Sequence, residues 1–412
     1  MKILLIDVYN FNKGGAESVC FNTGKMLEEH GNEVVYFTLK WKQNSPSPFE
    51  KYFPKSKETR SGPLRTVKNI INYFYHFEAA NKIEQLIIGE KPDIAHIHLL
   101  WGQITPSIFP VLRKYKIPIL FTVHDYRIVC PAYTFRDGNG RICEACRGKF
   151  FYRCVTHTCC KNSKLMSIVM AGEQYFRNTF FNPFKYIDGF IYVSNFAKGI
   201  QEKHMPLIKA KPSIILYNFS ESIASCPKIL QEDKYYLYFG RLSYEKGINT
   251  LLEAFKMLPN CKLKVVGKGP KENELKDFVC KSNMQNVEFL GYKQGEELTS
   301  LVSGAYFVIV PSEWYENNPL SIIESLSLGT PVIGSNIGGI PELIQDEKTG
   351  FTFTMGSPAD LTKTIRKAIA IPEEKLYEMS IACNKFAQQH FSADKHFNYL
   401  ISIYQSILKA SK

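Results

Sequence analysis

The sequence lacks any apolar run that approaches the roughly 18 residues needed to span a membrane as a helix. The longest strand-like runs, such as IPILFTV from Ile117, are far shorter. A secretory signal is also missing, because the apolar stretch Ile3–Ile6 stops at Asp7 and no small-residue cleavage site follows. These absences predict a cytoplasmic chain that neither spans a membrane nor is secreted. In such a chain the eleven cysteines are not expected to form disulfides.

Internal repeats and low-complexity tracts are absent too, and the composition is ordinary for a folded protein. Hydrophobic residues make up 45% and charged residues 22% of the 412 residues. A chain of this composition buries full-sized cores and is not disordered. At roughly 150 residues per domain, the length predicts two or three domains.

Acidic residues are scarce only in the first half of the chain. Residues 1–225 contain 30 Lys and Arg against 18 Asp and Glu, whereas residues 226–412 contain 21 of each. The whole net charge of +12 therefore lies in the first half. A basic half indicates an anionic partner, which is a nucleic acid, a phosphate-bearing substrate or an anionic membrane face. The alternative is a basic surface that has no partner.

Short apolar runs rich in β-forming residues alternate with amphipathic segments along the chain. The runs are continuous rather than alternating, as expected for parallel strands that are covered on both faces. This βαβ rhythm predicts an α/β protein with two Rossmann-like, doubly wound parallel sheets. The predicted strands are KILLIDV, EVVYFTL, DIAHIHL, IPILFTV, GFIYVS and SIILYN in the first half, and KYYLYFG, KLKVVG, NVEFLG, FVIVPS and PVIGSN in the second. The helices predicted between them include Ala16–His30, Ile248–Leu258, Pro270–Ser282 and Leu320–Leu328.

The rhythm breaks once, at the polar stretch Asn218–Asp233, which predicts a boundary between two domains. The predicted organisation is a first domain at 1–220 with a cysteine-rich insert at about 126–165, a linker at 221–233, and a second domain at 234–392. A helical tail at 393–412 ends the chain. Two such sheets present the carboxyl ends of their strands to a shared cleft, where ligands bind.

An acidic loop follows a strand of the second half, in the segment VPSEWYENNPLSIIESLSLG from Val310. It contains Glu316, and Glu324 follows eight residues later, on the helix that begins near Pro319. The backbone N–H groups of Asn317, Asn318 and Leu320 at this helix start favour an anion or sugar hydroxyls. The alternative is a pair of ordinary surface glutamates.

Basic and glycine-rich turns follow three other strands of the second half. Arg241 and Lys246 come after the strand that ends at Phe239, and a guanidinium beside an ammonium suits a diphosphate. Gly267 and Gly269 open a helix after the next strand, although such glycines are often simple turns. Tyr292 ends the third strand and is placed to contact a base.

Two polar turns of the first half are candidate binding sites. Gly14 and Gly15 lie between the first strand and the first helix, where backbone N–H groups can approach a phosphate. His124 ends the strand IPILFTV and is expected to face the cleft, with a structural role as the alternative. His96 and His98 share one strand face, which suits either zinc or an acceptor; without a third ligand we favour acceptor contact or a structural role.

Six of the eleven cysteines lie between Cys130 and Cys160. A C-x2-C pair followed by further cysteines has metal-ligand spacing, and this glycine-rich, basic segment has little apolar content for a core. A small insert of this kind often needs a metal to order it. We predict a structural zinc site, with oxidisable free thiols, an iron–sulfur cluster or disulfides as alternatives. The predicted ligands are Cys143, Cys146, Cys154 and Cys159, with Cys130, His157 and Cys160 as substitutes.

Taken in order along the chain, these motifs resemble family 4 of the retaining, nucleotide-sugar-dependent glycosyltransferases, which have the GT-B fold. The resemblance covers most of the chain. It rests on GRLxxEKG from Gly240, on the two spaced glutamates with LGTPVIGSNIGGIPE after them, and on the glycine pair near the start. It implies that the first domain binds the acceptor, that the second binds the nucleotide sugar, and that the last helix crosses back to the first domain.

The resemblance also implies a role for each matched residue. Glu316 would hold the hydroxyls of the donor sugar, Glu324 the ribose hydroxyls, and Arg241 with Lys246 the diphosphate. His124 would contact the donor sugar. The other residues assigned to the donor are Gly14, Gly15, Gly267, Gly269, Tyr292, Asn317, Asn318 and Leu320.

The reaction implied by the resemblance is transfer of a hexose-type sugar from a nucleoside diphosphate, with UDP as the expected nucleotide. It needs no metal for catalysis, and the leaving phosphate takes the acceptor proton after same-face attack. The segment after Glu316 is Asn-Asn-Pro where many relatives have Gly-Phe-Gly, so the class is implied but the donor sugar is open. The alternatives are an epimerase or phosphorylase on the same fold, and a nucleic-acid-binding protein, for which no recognisable module is present.

Two stretches of the first half combine apolar and basic residues. Leu64–Ile88 has apolar residues at helical spacing, and Phe176–Tyr186 is aromatic and basic. Such faces pack into cores more often than against lipid. With a basic domain, they nevertheless predict a peripheral protein at the inner face of an anionic membrane, with a glycan or lipid-linked acceptor and no nucleic acid.

Overall fold

The computed structural model of the chain describes residues 1–11, 13–58, 65–221, 223 and 234–410, with only the backbone described at 65–67. All its strands are parallel to their neighbours and form two six-stranded sheets. The strands are β1 (Lys2–Ile6), β2 (Glu33–Phe37), β3 (Ile94–Ile97), β4 (Ile119–Val123), β5 (Gly189–Tyr192), β6 (Ser213–Ile215), β7 (Tyr235–Phe239), β8 (Lys262–Val266), β9 (Val287–Gly291), β10 (Phe307–Val310), β11 (Val332–Ser335) and β12 (Gly350–Phe353).

Helices connect successive strands, as parallel pairing requires. No helix among the described residues is both long enough and apolar enough to cross a membrane. The helices are α1 (Gly15–Glu29), α2 (Arg65–Phe74), α3 (Phe77–Glu90), α4 (Phe109–Lys114), α5 (Arg153–Thr156), α6 (Lys164–Phe180), α7 (Pro183–Tyr186), α8 (Asn195–His204), α9 (Ile248–Lys256), α10 (Glu272–Lys281), α11 (Gly295–Gly304), α12 (Leu320–Ser327), α13 (Ile340–Leu343), α14 (Pro358–Ile369), α15 (Glu373–His390) and α16 (Ala393–Ala410).

The first compact unit comprises residues 1–216 together with the C-terminal residues from His396 onward. Its strand order is β2-β1-β3-β4-β5-β6. Every residue of β3, β4 and β5 is buried, because helices cover both faces of the sheet. Helix α16 belongs to this unit through Tyr404, whose hydroxyl lies 2.7 Å from His96 Nδ1, and through Phe397, which stacks on His30.

The second compact unit comprises residues 217–395, with the strand order β12-β11-β10-β7-β8-β9. Its core packs apolar residues of the strands against helices α9 and α14, including Leu251, Phe255, Leu361 and Ile365. The predicted α/β fold with two doubly wound parallel sheets is therefore confirmed, and all eleven predicted strands are present. The sequence analysis missed β12, a four-residue strand at one edge of the sheet.

Two predicted stretches lie partly outside the residues that the structure describes. The predicted linker at 221–233 lies almost wholly outside the described residues. The predicted amphipathic stretch Leu64–Ile88 starts outside them, and its described part lies in two helices, α2 and α3. The break lies at His76, whose ring nitrogen Nδ1 accepts a hydrogen bond from Ala79 N at 3.0 Å and caps α3.

Candidate active site

The sheet of the second unit reverses its order between β7 and β10. The chain runs from β7 outward to β9, and then continues on the other side of β7 with β10, β11 and β12. The loops that follow β7 and β10 therefore leave neighbouring strands in opposite directions, which is where open α/β sheets bind ligands. The first loop contains Arg241 and Lys246, and the second contains Glu316.

Glu316 and Lys246 form an ion pair at this position. Lys246 Nζ lies 2.6 Å from Glu316 Oε1, and Ser312 Oγ donates to the same oxygen at 2.7 Å. Glu316 is only 5% exposed, whereas the Lys246 side chain is 26% exposed. The second carboxylate oxygen, Oε2, takes part in neither bond. A charged oxygen and a charged nitrogen thus lie together at the end of the sheet.

The environment of Glu316 keeps it ionised. Burial alone would raise its pKa, but the charge of Lys246 and the hydrogen bonds from Lys246 and Ser312 outweigh that effect and lower the pKa below its ordinary value. The carboxylate is therefore an anion at neutral pH. It is suited to accept hydrogen bonds rather than to donate a proton.

Hydrogen bonds from backbone and side-chain groups hold the loops around this ion pair together. Glu313 N donates to the carbonyl of Glu245 at 2.8 Å, and Thr250 Oγ1 donates to Glu313 Oε1 at 2.6 Å. Gly339 N, in the turn after β11, donates to the carbonyl of Glu316 at 2.7 Å. Three loops that are distant in sequence therefore fix the position of Glu316.

The predicted glycines Gly267 and Gly269 lie against the loop after β7. A Cβ atom at Gly267 would lie 1.9 Å from the carbonyl oxygen of Gly240, and one at Gly269 would lie 2.2 Å from that of Leu242. Neither neighbour is the end of a flexible side chain, so no larger residue fits at either position. The glycines allow the loop that carries Arg241 to approach the turn after β8.

The remaining predicted donor residues of this unit differ in environment. Asn318 is buried, and its side-chain Oδ1 accepts a hydrogen bond from Asn218 N at 2.8 Å, so that oxygen is already used inside the protein. Leu320 is the first residue of α12. Asn317 is half-buried beside Asn318, and Tyr292 is exposed, with its hydroxyl 3.3 Å from Gln294 Oε1.

Two further charged residues of this unit, Arg241 and Glu324, were also predicted to bind the donor. Arg241 is exposed and forms no ion pair within the part of the chain that the structure describes. Glu324 lies half-buried on α12, and burial raises its pKa to about 7. A carboxyl group with that pKa changes its charge in the physiological range.

In the first unit, Gly14 and Gly15 form the N-terminus of α1, next to two buried acids that the sequence analysis did not select. Asp7 follows β1 directly and Glu17 lies in the first turn of α1. Burial, followed by the proximity of Glu17, raises the pKa of Asp7 well above its ordinary value. Burial also raises the pKa of Glu17. Asp7 after a strand was a signal available in the sequence.

His124 belongs to a group of stacked imidazoles. Its Nε2 lies 2.9 Å from His98 Nδ1, and the two rings stack at 5.1 Å. His96 is bonded on both nitrogens, to Tyr404 and Thr122. Burial lowers the pKa of His124 to about 4, so the ring is neutral at physiological pH. The hydrogen bonds give His96 the structural role that was one of its two predicted roles.

A buried ionic network, also missed from the sequence, holds the loop after His124. Arg177 and Glu173 of α6 form an ion pair at 2.9 Å, and Arg127 lies 3.4 Å from the same carboxylate. Gln174 Nε2 donates to the carbonyl of Ile128 at 2.6 Å. The network joins α6 to the segment that leaves β4. Glu173 and Arg177 have the i, i+4 spacing of a helical ion pair, whereas Arg127 lies 46 residues before Glu173 and no spacing rule connects the two.

The cysteine-rich segment does not bring the predicted ligands around a common centre. Among the described residues, no group of three or more His, Cys, Asp or Glu side chains is arranged to hold a metal ion. The contacts are pairwise: Cys143 Sγ lies 3.3 Å from His157 Nδ1, and Cys154 Sγ lies 3.7 Å from Cys160 Sγ. The zinc set Cys143, Cys146, Cys154 and Cys159 stays a prediction that this geometry does not support.

Comparison with known proteins agrees with the fold. Residues 13–219 match the family described as Glycosyltransferase Family 4, and residues 221–389 match Glycosyl transferases group 1. Because the first match spans half of the chain, the chain belongs to Glycosyltransferase Family 4. It is a glycosyltransferase of the GT-B type.

Some relatives are distant in sequence but cover most of the chain. An uncharacterised 42.6 kDa protein of the cps region of Klebsiella pneumoniae is 25% identical, over 83% of this chain and 87% of that protein. The structure of sucrose-phosphate synthase from Thermosynechococcus elongatus has a TM-score of 0.74 at 19% identity and covers 99% of both chains. The Anabaena protein HepE in complex with UDP and glucose has a TM-score of 0.65 at 18% identity, over 98% of this chain and 100% of that one. These structures share the fold of this chain.

Proposed function

We propose that this glycosyltransferase moves a hexose-type sugar from a UDP-linked donor to a glycan or lipid-linked acceptor, with retention of configuration, in the synthesis of a cell-surface polysaccharide. The buried Glu316–Lys246 pair at the ends of β10 and β7 carries the proposal. The Anabaena neighbour with UDP and glucose supports the donor class. The relative from a cps region supports the polysaccharide role.

The proposed role of each basic group follows from where negative charge develops during the reaction. Breaking the bond between the anomeric carbon and the phosphate oxygen leaves its electron pair on the diphosphate. Lys246, the exposed Arg241 and the N-terminal N–H groups of α12 stabilise that charge. Lys246 donates one hydrogen bond to Glu316 and keeps two further N–H donors for phosphate oxygens.

Glu316 holds the sugar rather than attacking it. Its Oε1 accepts bonds from Lys246 and Ser312, and the Trp314 side chain also bonds to the carboxylate. We assign the remaining acceptor capacity of Oε2 to the donor hydroxyls. The acceptor oxygen then attacks the anomeric carbon from the face that the phosphate leaves, and the acceptor proton passes to the leaving phosphate oxygen. The assignment of His124, Gly14 and Gly15 to the donor stays a prediction.

Thermal unfolding with UDP, GDP, ADP and CMP, in the presence of a chelator, tests the donor class. A ligand at about 100 times its dissociation constant adds about 2.7 kcal/mol to stability, which raises the melting temperature measurably. We expect UDP to give the largest shift. A larger shift with another nucleotide would replace UDP in the proposal, and no shift with any of them would contradict donor binding.

Glu324 gives a pH-dependent prediction. A carboxyl group with a pKa of about 7 is about 10% ionised at pH 6 and about 90% at pH 8. Because only the carboxylate accepts bonds from both ribose hydroxyls, we expect UDP affinity to rise up to about tenfold over this range. Glu324→Gln should remove that rise while the titration of the phosphate itself persists. Titration calorimetry at both pH values on both proteins measures the difference.

The free protein should show the opposite trend in stability. Since burial raises the folded-state pKa of Glu324, its contribution to stability is complete at low pH and is lost as the pH rises through about 7. We expect the melting temperature of the free wild type to fall relative to that of Glu324→Gln between pH 6 and 8. A parallel pH dependence of the two proteins would contradict the burial of this carboxyl group.

A surface of the first unit, outside the two stretches that the sequence analysis selected, has the composition of a membrane contact. It combines exposed apolar side chains of α6, such as Leu165 (71% exposed) and Ile168 (49%), with Phe150 and Tyr152 of the cysteine-rich segment. Residues 145–172 around it contain five Lys and Arg and no Asp or Glu. Apolar side chains within a wholly basic stretch are the composition that binds an anionic bilayer. We call this the α6 surface.

Flotation with vesicles tests the α6 surface. We expect the wild type to float with vesicles that contain phosphatidylglycerol at low salt and not with neutral vesicles. The double change Leu165→Ser and Ile168→Ser should reduce binding at least tenfold. Ile381→Ser is the matched control, because Ile381 is a similarly exposed residue of α15. Binding that is lost equally in the control, or absent in the wild type, would remove the membrane from the proposal.

A further inference from the structure

The sheet of the first unit also reverses its strand order, in this case between β1 and β3. The chain runs from β1 outward to β2, and then continues on the other side of β1 with β3. The loops that follow β1 and β3 therefore leave neighbouring strands in opposite directions, which is where open α/β sheets bind ligands. The proposed reaction has two substrates, and the Glu316–Lys246 pair of the second unit is assigned to the donor. The reversal in the first unit is a position for the other substrate.

Asp7 and His98 are the first residues after these two strands. Ile6 pairs with Ile97 in the register of β1 and β3, and His98 N donates to the carbonyl of Ile6 at 2.9 Å. Paired residues of neighbouring parallel strands lie on the same face of a sheet, and the strands are about 4.8 Å apart. Asp7 and His98 therefore occupy adjacent positions on one face, at the point where the strand order reverses.

Each of these two side chains uses one of its polar atoms within the protein and leaves the other without a partner. Asp7 Oδ1 accepts a hydrogen bond from Tyr9 N at 3.1 Å, and His98 Nδ1 lies 2.9 Å from His124 Nε2. The other two atoms, Asp7 Oδ2 and His98 Nε2, are buried and form no hydrogen bond with any residue that the structure describes. The residues themselves are only 2% and 1% exposed. Since buried polar groups almost always have a partner, two such atoms at adjacent positions indicate a ligand that supplies one.

The surroundings of the two atoms suit a neutral sugar. Glu17 is buried close to Asp7, and two neighbouring acids disfavour a phosphate or carboxylate group. Tyr9 is half-buried and packs against Trp41, with 5.0 Å between the ring centroids. Sites for small molecules combine aromatic faces with a few polar atoms in this way. A sugar offers an apolar C–H face to the first and hydroxyl groups to the second.

We infer that Asp7 and His98 bind one hydroxyl group of a neutral acceptor sugar, an inference that rests on the proposed glycosyl transfer. The hydroxyl donates a hydrogen bond to Asp7 Oδ2 and accepts one from His98 Nε2, so a single group satisfies both atoms. Because burial lowers the pKa of His98 well below its ordinary value, the ring is neutral and carries one proton, which this bond places on Nε2. His98 Nδ1 is then the acceptor for His124 Nε2. The pair selects the acceptor and takes no part in bond breaking.

Saturation-transfer NMR of the full chain in the presence of UDP tests the inference. The probes are the methyl glycosides of glucose, galactose and mannose, and we expect at least one of them to receive saturation from the wild type. Asp7→Asn keeps the oxygen that Tyr9 N contacts but puts an N–H donor in place of Oδ2. It should therefore weaken glycoside binding by about tenfold or more.

Two substitutions of His98 separate the roles of its two ring nitrogens. The side-chain amide of asparagine reaches the position of Nδ1, whereas that of glutamine reaches the position of Nε2. His98→Asn should keep the contact with His124 and weaken glycoside binding by about tenfold or more. His98→Gln should lose the contact with His124 and bind the glycoside within about threefold of the wild type. A role of His98 that is only to hold His124 would give the opposite order.

Asp137→Asn is the matched control for Asp7→Asn. Asp137 Oδ1 accepts a hydrogen bond from Asn139 N at 2.9 Å, which is the same kind of turn bond that Asp7 makes to Tyr9 N. Asp137 lies in the cysteine-rich segment, so we expect this variant to bind the glycoside as the wild type does. Circular dichroism confirms that each variant is folded.

The shift of the melting temperature with UDP separates the inference from the proposed function. A wild type that binds UDP but none of the glycosides would overturn the inference alone. A wild type that binds a glycoside but shows no shift with UDP would contradict the proposed donor alone. Glycoside binding that is unchanged in Asp7→Asn and His98→Asn would overturn the inference and assign the two atoms to bound water. An equal loss of binding in Asp137→Asn would also overturn it.

Discussion

Glu316→Gln is expected to lower the transfer rate by about 10²- to 10³-fold without unfolding the protein. The amide keeps the size of the side chain but removes the negative charge that Lys246 and Ser312 contact at 2.6 and 2.7 Å. A neutral amide is a weaker acceptor for donor hydroxyls and turns one of its two positions into a donor. Initial rates of nucleotide release at saturating donor measure the effect, with the melting temperature as the check on folding.

Glu313→Gln is the matched control for this change. Glu313 lies three residues earlier in the same loop, and its carboxylate accepts a bond from Thr250 at 2.6 Å rather than from Lys246. We expect this variant to retain at least half of the wild-type rate. Near-normal turnover by Glu316→Gln, or an equal loss in the control, would exclude the role assigned to Glu316.

Lys246→Met is expected to lose about 10³-fold in transfer rate, because it removes two contributions at once. The ammonium no longer stabilises the leaving diphosphate. Burial then dominates at Glu316, so the pKa of that carboxyl group rises and part of the enzyme carries it in the protonated form. The methionine side chain is unbranched and of similar length, but it lacks the ammonium that lies 5.5 Å from the centre of the Trp314 ring.

The pH profile separates these two contributions. In the wild type the pKa of Glu316 lies below its ordinary value and the group is ionised across the neutral range, so its titration should add no pH dependence to the rate. In Lys246→Met the residual rate should increase with pH as Glu316 loses its proton. Arg241→Met serves as the comparison, because Arg241 is exposed and does not contact Glu316; it should weaken donor binding with no new pH dependence. Identical profiles for the two variants would contradict the coupling between Lys246 and Glu316.

The fold was predictable because nearly all of its strands coincide with continuous apolar runs in the sequence. FVIV in β10 and ILFTV in β4 are buried along their whole length, which only a sheet covered on both faces explains. Strand β12 was missed because GFTF mixes two phenylalanines with a polar threonine and lies at the sheet edge. Its flanking glycine and turn residues were nevertheless a signal.

The site was predictable where it follows strand ends and unpredictable where it depends on long-range contacts. The order of strands places the loops of Arg241, Lys246 and Glu316 together, and the sequence already located each loop after a strand. The bond between Lys246 and Glu316 joins residues 70 positions apart, so no spacing rule reveals it. The hydrogen bond from Asn218 to Asn318 and the ion pair of Arg127 with Glu173 also join residues that are far apart in sequence, so they could not be predicted either.

The measurement that tests the central claim most directly follows UDP-glucose and related UDP-sugars by proton NMR, with wild-type protein and a chelator present. We predict slow release of UDP together with a free sugar that first appears in the anomeric configuration of the donor, and about 10²-fold or greater slowing by Glu316→Gln. Release of the opposite anomer would contradict retention. Wild-type protein that neither binds nor cleaves any nucleotide sugar would contradict the account as a whole.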